Sequence, residues 1–155
     1  MSITRATLVA AAIFFACAAN AQPPSWNAAQ TEVWKAIEQS WVDDVAENGK
    51  WPKDYIHDAY VNWGDTSAAP QYADSAIKWN RFSDESSTVL MYEISPAAIV
   101  VVGDTAVAHY DLVSVTENYK GDRSREVGRI TEILIRQGRN WKWLSGVNFQ
   151  PKLND

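Results

Sequence analysis

With 155 residues, 46% of them hydrophobic and 21% charged, the chain has the size and composition of one globular domain and is too apolar for a disordered one. It carries 14 Lys and Arg against 19 Asp and Glu, a net charge of −5, which argues against nucleic acid as a partner, since that affinity comes from neutralising many phosphates.

The first seven residues hold one cation, Arg5, and Leu8 to Ala16 is an uninterrupted apolar run too short for a stable membrane span. Ala19-Asn20-Ala21 supplies the small residues a signal peptidase needs, and Gln22-Pro23-Pro24 opens a different composition. Residues 1–21 therefore read as a secretory signal and 22–155 as the domain, with a secreted or periplasmic location expected. A retained anchor or a lipid on Cys17 are the alternatives, but Phe14-Phe15-Ala16 lacks the aliphatic residue wanted three positions before that Cys. Cleavage removes the only Cys, so the exported chain is expected to fold without disulfides or thiol chemistry.

Trp26, Gln30, Val33, Ile37, Trp41 and Val45 recur in steps of three or four and predict a long amphipathic helix ending at Asn48-Gly49. Asn27 can cap it, with Gln30 as the reciprocal partner. Beyond Trp51-Pro52, the spacing of Tyr55, Ile56, Ala59, Tyr60 and Trp63 predicts a short second helix over 53–60, broken by Gly64-Asp65. After a polar loop at 66–70, residues 71–82 predict a third helix.

From Thr88 onward β-branched residues dominate. Strands are predicted over 89–94, stopped by Ser95-Pro96, and over 99–102, 105–117, 125–136 and 141–149, with turns at Gly103-Asp104, Lys120-Gly121-Asp122 and Gln137-Gly138-Arg139-Asn140. Helices followed by an antiparallel meander give an α+β domain.

Residues able to do chemistry are few. His57 and Asp58 are adjacent on a helical segment and so face different ways. His109 and Asp111, two apart on a strand, share a face with Val107 and Val113, and a polar pair on an apolar face suggests a pocket. The bland reading is a structural polar pair or a solvated edge. On the next strand Arg129 and Thr131 share one face and Glu132 the other, with Ile130 and Leu134. A register placing Asp111 opposite Thr131 avoids opposing Asp111 with Glu132, and directs His109, Asp111, Arg129 and Thr131 to a common space. For Arg129 the bland reading is an ion pair with Asp111.

The 8 Trp and 6 Tyr supply rigid apolar surface. Trp41, Trp63, Trp79, Trp141 and Trp143 can line a pocket, although at least half of the Trp residues are expected simply to fill the core. There is no Gly-rich phosphate loop, HExxH, Cys cluster or Gly-x-Ser-x-Gly turn, so neither metal nor cofactor is expected.

Residues 99–108, 128–134 and 136–142, with a glycine turn before an Ala-Val strand and a Gly-x-x-Trp turn near the end, resemble successive strands of the SnoaL-like branch of the nuclear transport factor 2-like superfamily. Trp34, Ile37 and Trp41, and the segment from Tyr55 to Trp63, fit the opening of that pattern. The resemblance implies a cone: a curved antiparallel sheet wrapped around the long N-terminal helix, with two shorter helices and a pocket at the wide end. Many members carry a His near the end of the last strand; here the residues are Ser145-Gly146-Val147-Asn148.

Two functions follow from different classes. One is an exported pocket protein binding a small apolar or aromatic molecule through Tyr60, Trp63, His109, Asp111, Arg129 and Thr131. The other is a cofactor-independent isomerase, cyclase or dehydratase with His109 or Asp111 as base. A homodimer is expected because both faces of the later strands carry apolar residues, and the resemblance agrees.

Overall fold

The computed structural model describes residues 25–64 and 67–149; the expected export signal, residues 1–21, lies outside them. Helix α1, Ala28–Val45, starts on the expected capping box: the Asn27 side chain accepts from Gln30 N at 3.0 Å and Gln30 Oε1 accepts from Asn27 N at 2.9 Å. A pair of two-residue strands, β1 (Val61–Asn62) and β2 (Gln71–Tyr72), precedes helix α2 (Ala73–Ser86). Four long strands follow, β3 (Ser87–Val102), β4 (Thr105–Asn118), β5 (Arg123–Gln137) and β6 (Asn140–Phe149), as an antiparallel meander in the order β3-β4-β5-β6. The α+β architecture is the one expected. Register shifts at Val89/Met91, Pro96/Ala98 and Ile133/Leu134 bend the sheet around α1.

The expected helix over 53–60 is absent. That segment turns repeatedly and lays Ile56 parallel to Trp143, with His57 N donating to Trp143 O at 2.9 Å and Trp143 N to Tyr55 O at 3.0 Å. Its apolar residues are satisfied without a helix, because Trp51, Tyr55 and Trp143 pack as mutual ring neighbours 5.6–5.7 Å apart. Ser95-Pro96, expected to separate two strands, lies within β3: an edge strand tolerates a residue with no N–H, and the adjacent bulge absorbs it.

Ala106, Ala108, Tyr110, Leu112 and Ser114 of β4 are buried against α1, so the even-numbered positions face inward. Their partners across β5, Gly128, Ile130, Glu132 and Leu134, share that face. The register differs by two residues from the expected one: His109 opposes Thr131 and Asp111 opposes Arg129. The turn sets this offset. Asn118 Oδ1 accepts from the Lys120 and Asp122 N–H groups, at 2.9 and 3.0 Å, while Asn118 N donates to Asp122 O.

Candidate functional site

Between α1 and the inner face of the sheet lies a cavity of about 250 Å³. Trp41 and Asp44 enter it from α1, Trp51 and Tyr60 from the turning segment, Tyr110 from β4, and Glu132 from β5. Trp143, Gly146 and Asn148 of β6 and Asn62 of β1 complete its polar and aromatic wall. A wider groove of about 540 Å³ on the other side of α1 is more open; two of its carboxylates are paired, Glu32 with Arg136 at 2.7 Å and Asp43 with Lys50 at 3.3 Å. Among the described residues its one unpartnered buried polar atom is Trp141 Nε1, whereas the smaller cavity is lined by residues carrying four. The smaller cavity is the chemically unfinished one.

Its centre is a hydrogen-bonded chain. Trp41 Nε1 donates to the Tyr110 hydroxyl at 3.1 Å, and that hydroxyl donates to Glu132 Oε1 at 3.0 Å. Burial pushes the Glu132 carboxyl up to about 7, opposed by the Trp143 indole N–H and the Tyr110 hydroxyl, which favour the charged form. The Trp143 N–H nevertheless falls short of hydrogen-bond geometry, so Glu132 Oε2 and Trp143 Nε1 are both buried without a partner. Burial and the Glu132 charge raise the Tyr110 hydroxyl far enough that it stays a donor. The same causes hold the Tyr60 hydroxyl up at about 12.

Asp44 is the second carboxyl of the wall. Burial, reinforced by the charges of Asp84 and Glu47, pushes it up to about 6 despite a hydrogen bond from Asn80 Nδ2 at 3.1 Å. Next to it on the helix, Asp43 behaves in the opposite way: hydrogen bonds from Tyr55, Asn48 and Lys50 hold its carboxyl down at about 2. Asp43 anchors the segment after α1, whereas Asp44 is left facing the cavity.

Asn62 Oδ1 and Asn148 Oδ1 are also buried and unpartnered, and both residues line this cavity. Gly128 makes room for the second of them, since a Cβ there would stand 2.8 Å from Asn148 Oδ1.

Of the residues expected to form the site, only Tyr60 lines the cavity. His109, Asp111, Arg129 and Thr131 do come together, but on the outer face of the sheet. His109 Nδ1 lies 2.8 Å from Thr131 Oγ1, and Arg129 Nε 4.0 Å from Asp111 Oδ1, the latter two side chains 73% and 60% exposed. Their odd-numbered positions point away from α1, which corrects their expected placement inside the cone. Trp63 is 61% exposed and donates through Nε1 to Ser67 O at 2.9 Å. His57 accepts from Ala59 N through Nδ1, while Asp58 is exposed. Of the Trp residues considered for a pocket, Trp41 and Trp143 line this one, Trp141 is buried beside the open groove, and Trp79 is exposed.

Glu132, Asp44 and Asn148 were not singled out from the sequence. The available signal was a lone carboxylate in the otherwise apolar alternation Ile130, Glu132, Leu134. Among the described residues no group of three or more His, Cys, Asp or Glu is placed to hold a metal ion, and no helix is long and apolar enough to cross a membrane.

No family model and no curated protein matches the sequence. Solved structures do match the fold. A ketosteroid isomerase-like protein from Erwinia carotovora atroseptica superposes with a TM-score of 0.72 at 11% identity, covering 83% of this chain and 100% of that one. An NTF2-like protein of unknown function in nutrient uptake from Rhodospirillum rubrum gives 0.66 at 19% identity, covering 77% and 98%. A nuclear transport factor 2 (NTF2-like) superfamily protein from Salmonella enterica gives 0.65 at 14% identity, covering 81% and 93%. The chain thus has the nuclear transport factor 2-like fold, and identities this low say nothing about what occupies the cavity.

Proposed function

We propose that this is an exported pocket protein of the SnoaL-like type, which binds a small, partly aromatic molecule in the cavity between α1 and the sheet. One observation carries the reading: Glu132 Oε2, Asn62 Oδ1, Asn148 Oδ1 and Trp143 Nε1 are buried, without partners, and all belong to residues lining one cavity. Each unmade bond costs ~1–3 kcal/mol, a cost that a complementary ligand removes. At about 250 Å³ the space lies just below the ~300–1,000 Å³ of drug-sized sites, so the ligand is small. Ser40→Leu, which fills the cavity from α1 at the expense of one local hydrogen bond to Ile37 O, provides the test. Ligand-observed NMR with a fragment panel should find binders to the native protein that do not bind Ser40→Leu. Equal binding to both proteins, or none to either, would refute the pocket reading.

A second reading, cofactor-independent proton transfer as in an isomerase, cyclase or dehydratase, rests on the Glu132 carboxyl. Held at about 7 beside the neutral Tyr110 hydroxyl, it has the proton affinity of a general base working near neutrality. Turnover of this kind should rise with pH through about 7 and vanish in Glu132→Gln. Activity retained in that variant would exclude it.

Export and self-association complete the proposal. The mature chain begins at Gln22 and lies outside the cytoplasm, in the periplasm of a Gram-negative source; mass spectrometry of the exported protein finding Met1, Ser2 or a lipid on Cys17 would contradict this. Val100 and Val147 are exposed on the outer face of the sheet at 53% and 41%, with Val107 and Ile133 between them, and two copies paired through this face would cover them.

A further inference from the structure

We propose that the ligand of this cavity is a small organic ammonium ion, an amine carried on or beside an apolar ring. The inference rests on the pocket reading above and specifies its charge.

Three features of the wall point the same way. Among the described residues it contains Asp44 and Glu132 but no Lys, Arg or His, so an anion would enter against two carboxyls with no compensating cation. Its unpartnered buried atoms are mostly acceptors: Glu132 Oε2, Asn62 Oδ1 and Asn148 Oδ1 against the single donor Trp143 Nε1. A primary ammonium offers three donors and no acceptor, which suits this imbalance; a carboxylate offers only acceptors. Turning either amide end for end would present an N–H2 instead, but both Glu132 oxygens remain acceptors in the charged state. Finally, Trp41, Trp51, Tyr60 and Trp143 make much of the wall aromatic, a lining that packs against an apolar stem and whose ring π-systems favour a cation over an anion.

The elevated carboxyls fit an unmatched acidic site. Asp44 and Glu132, raised mainly by burial, are the groups whose charged forms a bound cation would restore.

Calorimetric titration of the protein with benzylammonium, benzyl alcohol and benzoate, probes of one shape and three charges, tests the inference. Benzylammonium should bind at least about tenfold more tightly than benzyl alcohol, and benzoate most weakly. Glu132→Gln, which keeps an acceptor for Tyr110, should weaken benzylammonium about tenfold and leave benzyl alcohol within about twofold. Asp44→Asn should shift the same preference and serves if the first variant does not fold. Benzyl alcohol or benzoate binding as tightly as benzylammonium would overturn the cation assignment while leaving the pocket reading intact. Equal losses for amine and alcohol in both variants would also overturn it. If none of the three probes binds although fragments bind the native protein, the cation assignment falls alone; if no fragment binds either, the pocket reading falls with it.

Discussion

Glu132→Gln should flatten the dependence of folding stability on pH around neutrality, between about pH 6 and 8.5. In the native fold burial lifts this carboxyl from 4.5 to about 7, so the folded chain holds a proton that the unfolded chain has already released. A raised carboxyl stabilises the fold below the unfolded value, and the contribution is lost as pH rises through the folded one. At ~1.4 kcal/mol per pH unit, the full shift corresponds to about 3 kcal/mol, of which about 1.4 kcal/mol is lost between pH 6 and 8.5. Asp44, raised from 3.8 to about 6, has lost most of its contribution by then and adds about 0.4 kcal/mol over the same interval. Urea denaturation at those two pH values should therefore show the native protein losing nearly 2 kcal/mol (~1.8), and Glu132→Gln only the Asp44 remainder. The substitution keeps an oxygen for the Tyr110 hydroxyl, so the variant should also be the more stable protein at pH 8.5. Parallel losses in the two proteins would refute the claim that Glu132 is buried and proton-binding in the fold.

Other outcomes follow from separate parts of the molecule. Glu47 follows the C-cap of α1 with φ 48, a left-handed conformation that favours glycine, so Glu47→Gly should raise stability by ~1 kcal/mol in the same denaturation assay; a loss would contradict the strain. His109→Ala and Arg129→Ala should leave probe affinity in the cavity within about twofold, any effect appearing in subunit association, because both side chains lie on the outer face; a tenfold loss of probe affinity would return them to the site. Light scattering at micromolar concentration should give twice the chain mass, and Val100→Glu should reduce it to one; a native monomer would remove the dimer.

The sequence carried the fold further than the site. The cap at Asn27 and Gln30, the α1 stripe and the meander were legible because each is a local pattern: a polar side chain three residues from its partner, a 3.6-residue period, strands bounded by turn residues. At Gly103 and Gly138, with φ +57 and +64, two-residue turns join Val102 to Thr105 and Gln137 to Asn140, and glycine alone signals such turns well. The segment 53–60 was misleading because its apolar spacing fits a helix, while its burial partner, Trp143, is far away in sequence. The outward placement of the polar strand residues was missed for a similar reason. Alternation says that His109, Asp111, Arg129 and Thr131 share a face, but which face touches α1 is decided by tertiary packing of Ala106, Ala108 and Tyr110, two small residues and one large aromatic that are no more apolar in outline than the alternate set.

Strand β3 is one of the two outer strands of the sheet, and it is long, 16 residues, with Leu90, Met91, Val100 and Val102 exposed. Such a border invites another chain to continue the hydrogen-bonded ladder, the first step toward insoluble fibres. The opposite border, β6, is obstructed at Trp143 by the parallel bridge to Ile56. On β3, Pro96 offers no N–H to an incoming strand, and the adjoining irregularities at Val89/Met91 and Pro96/Ala98 twist the ladder out of register with any straight partner. The proline that looked like the end of a strand thus acts as a guard along it, against pairing at an apolar border. Replacing Pro96 with Val would complete the ladder and expose the protein to edge-to-edge aggregation.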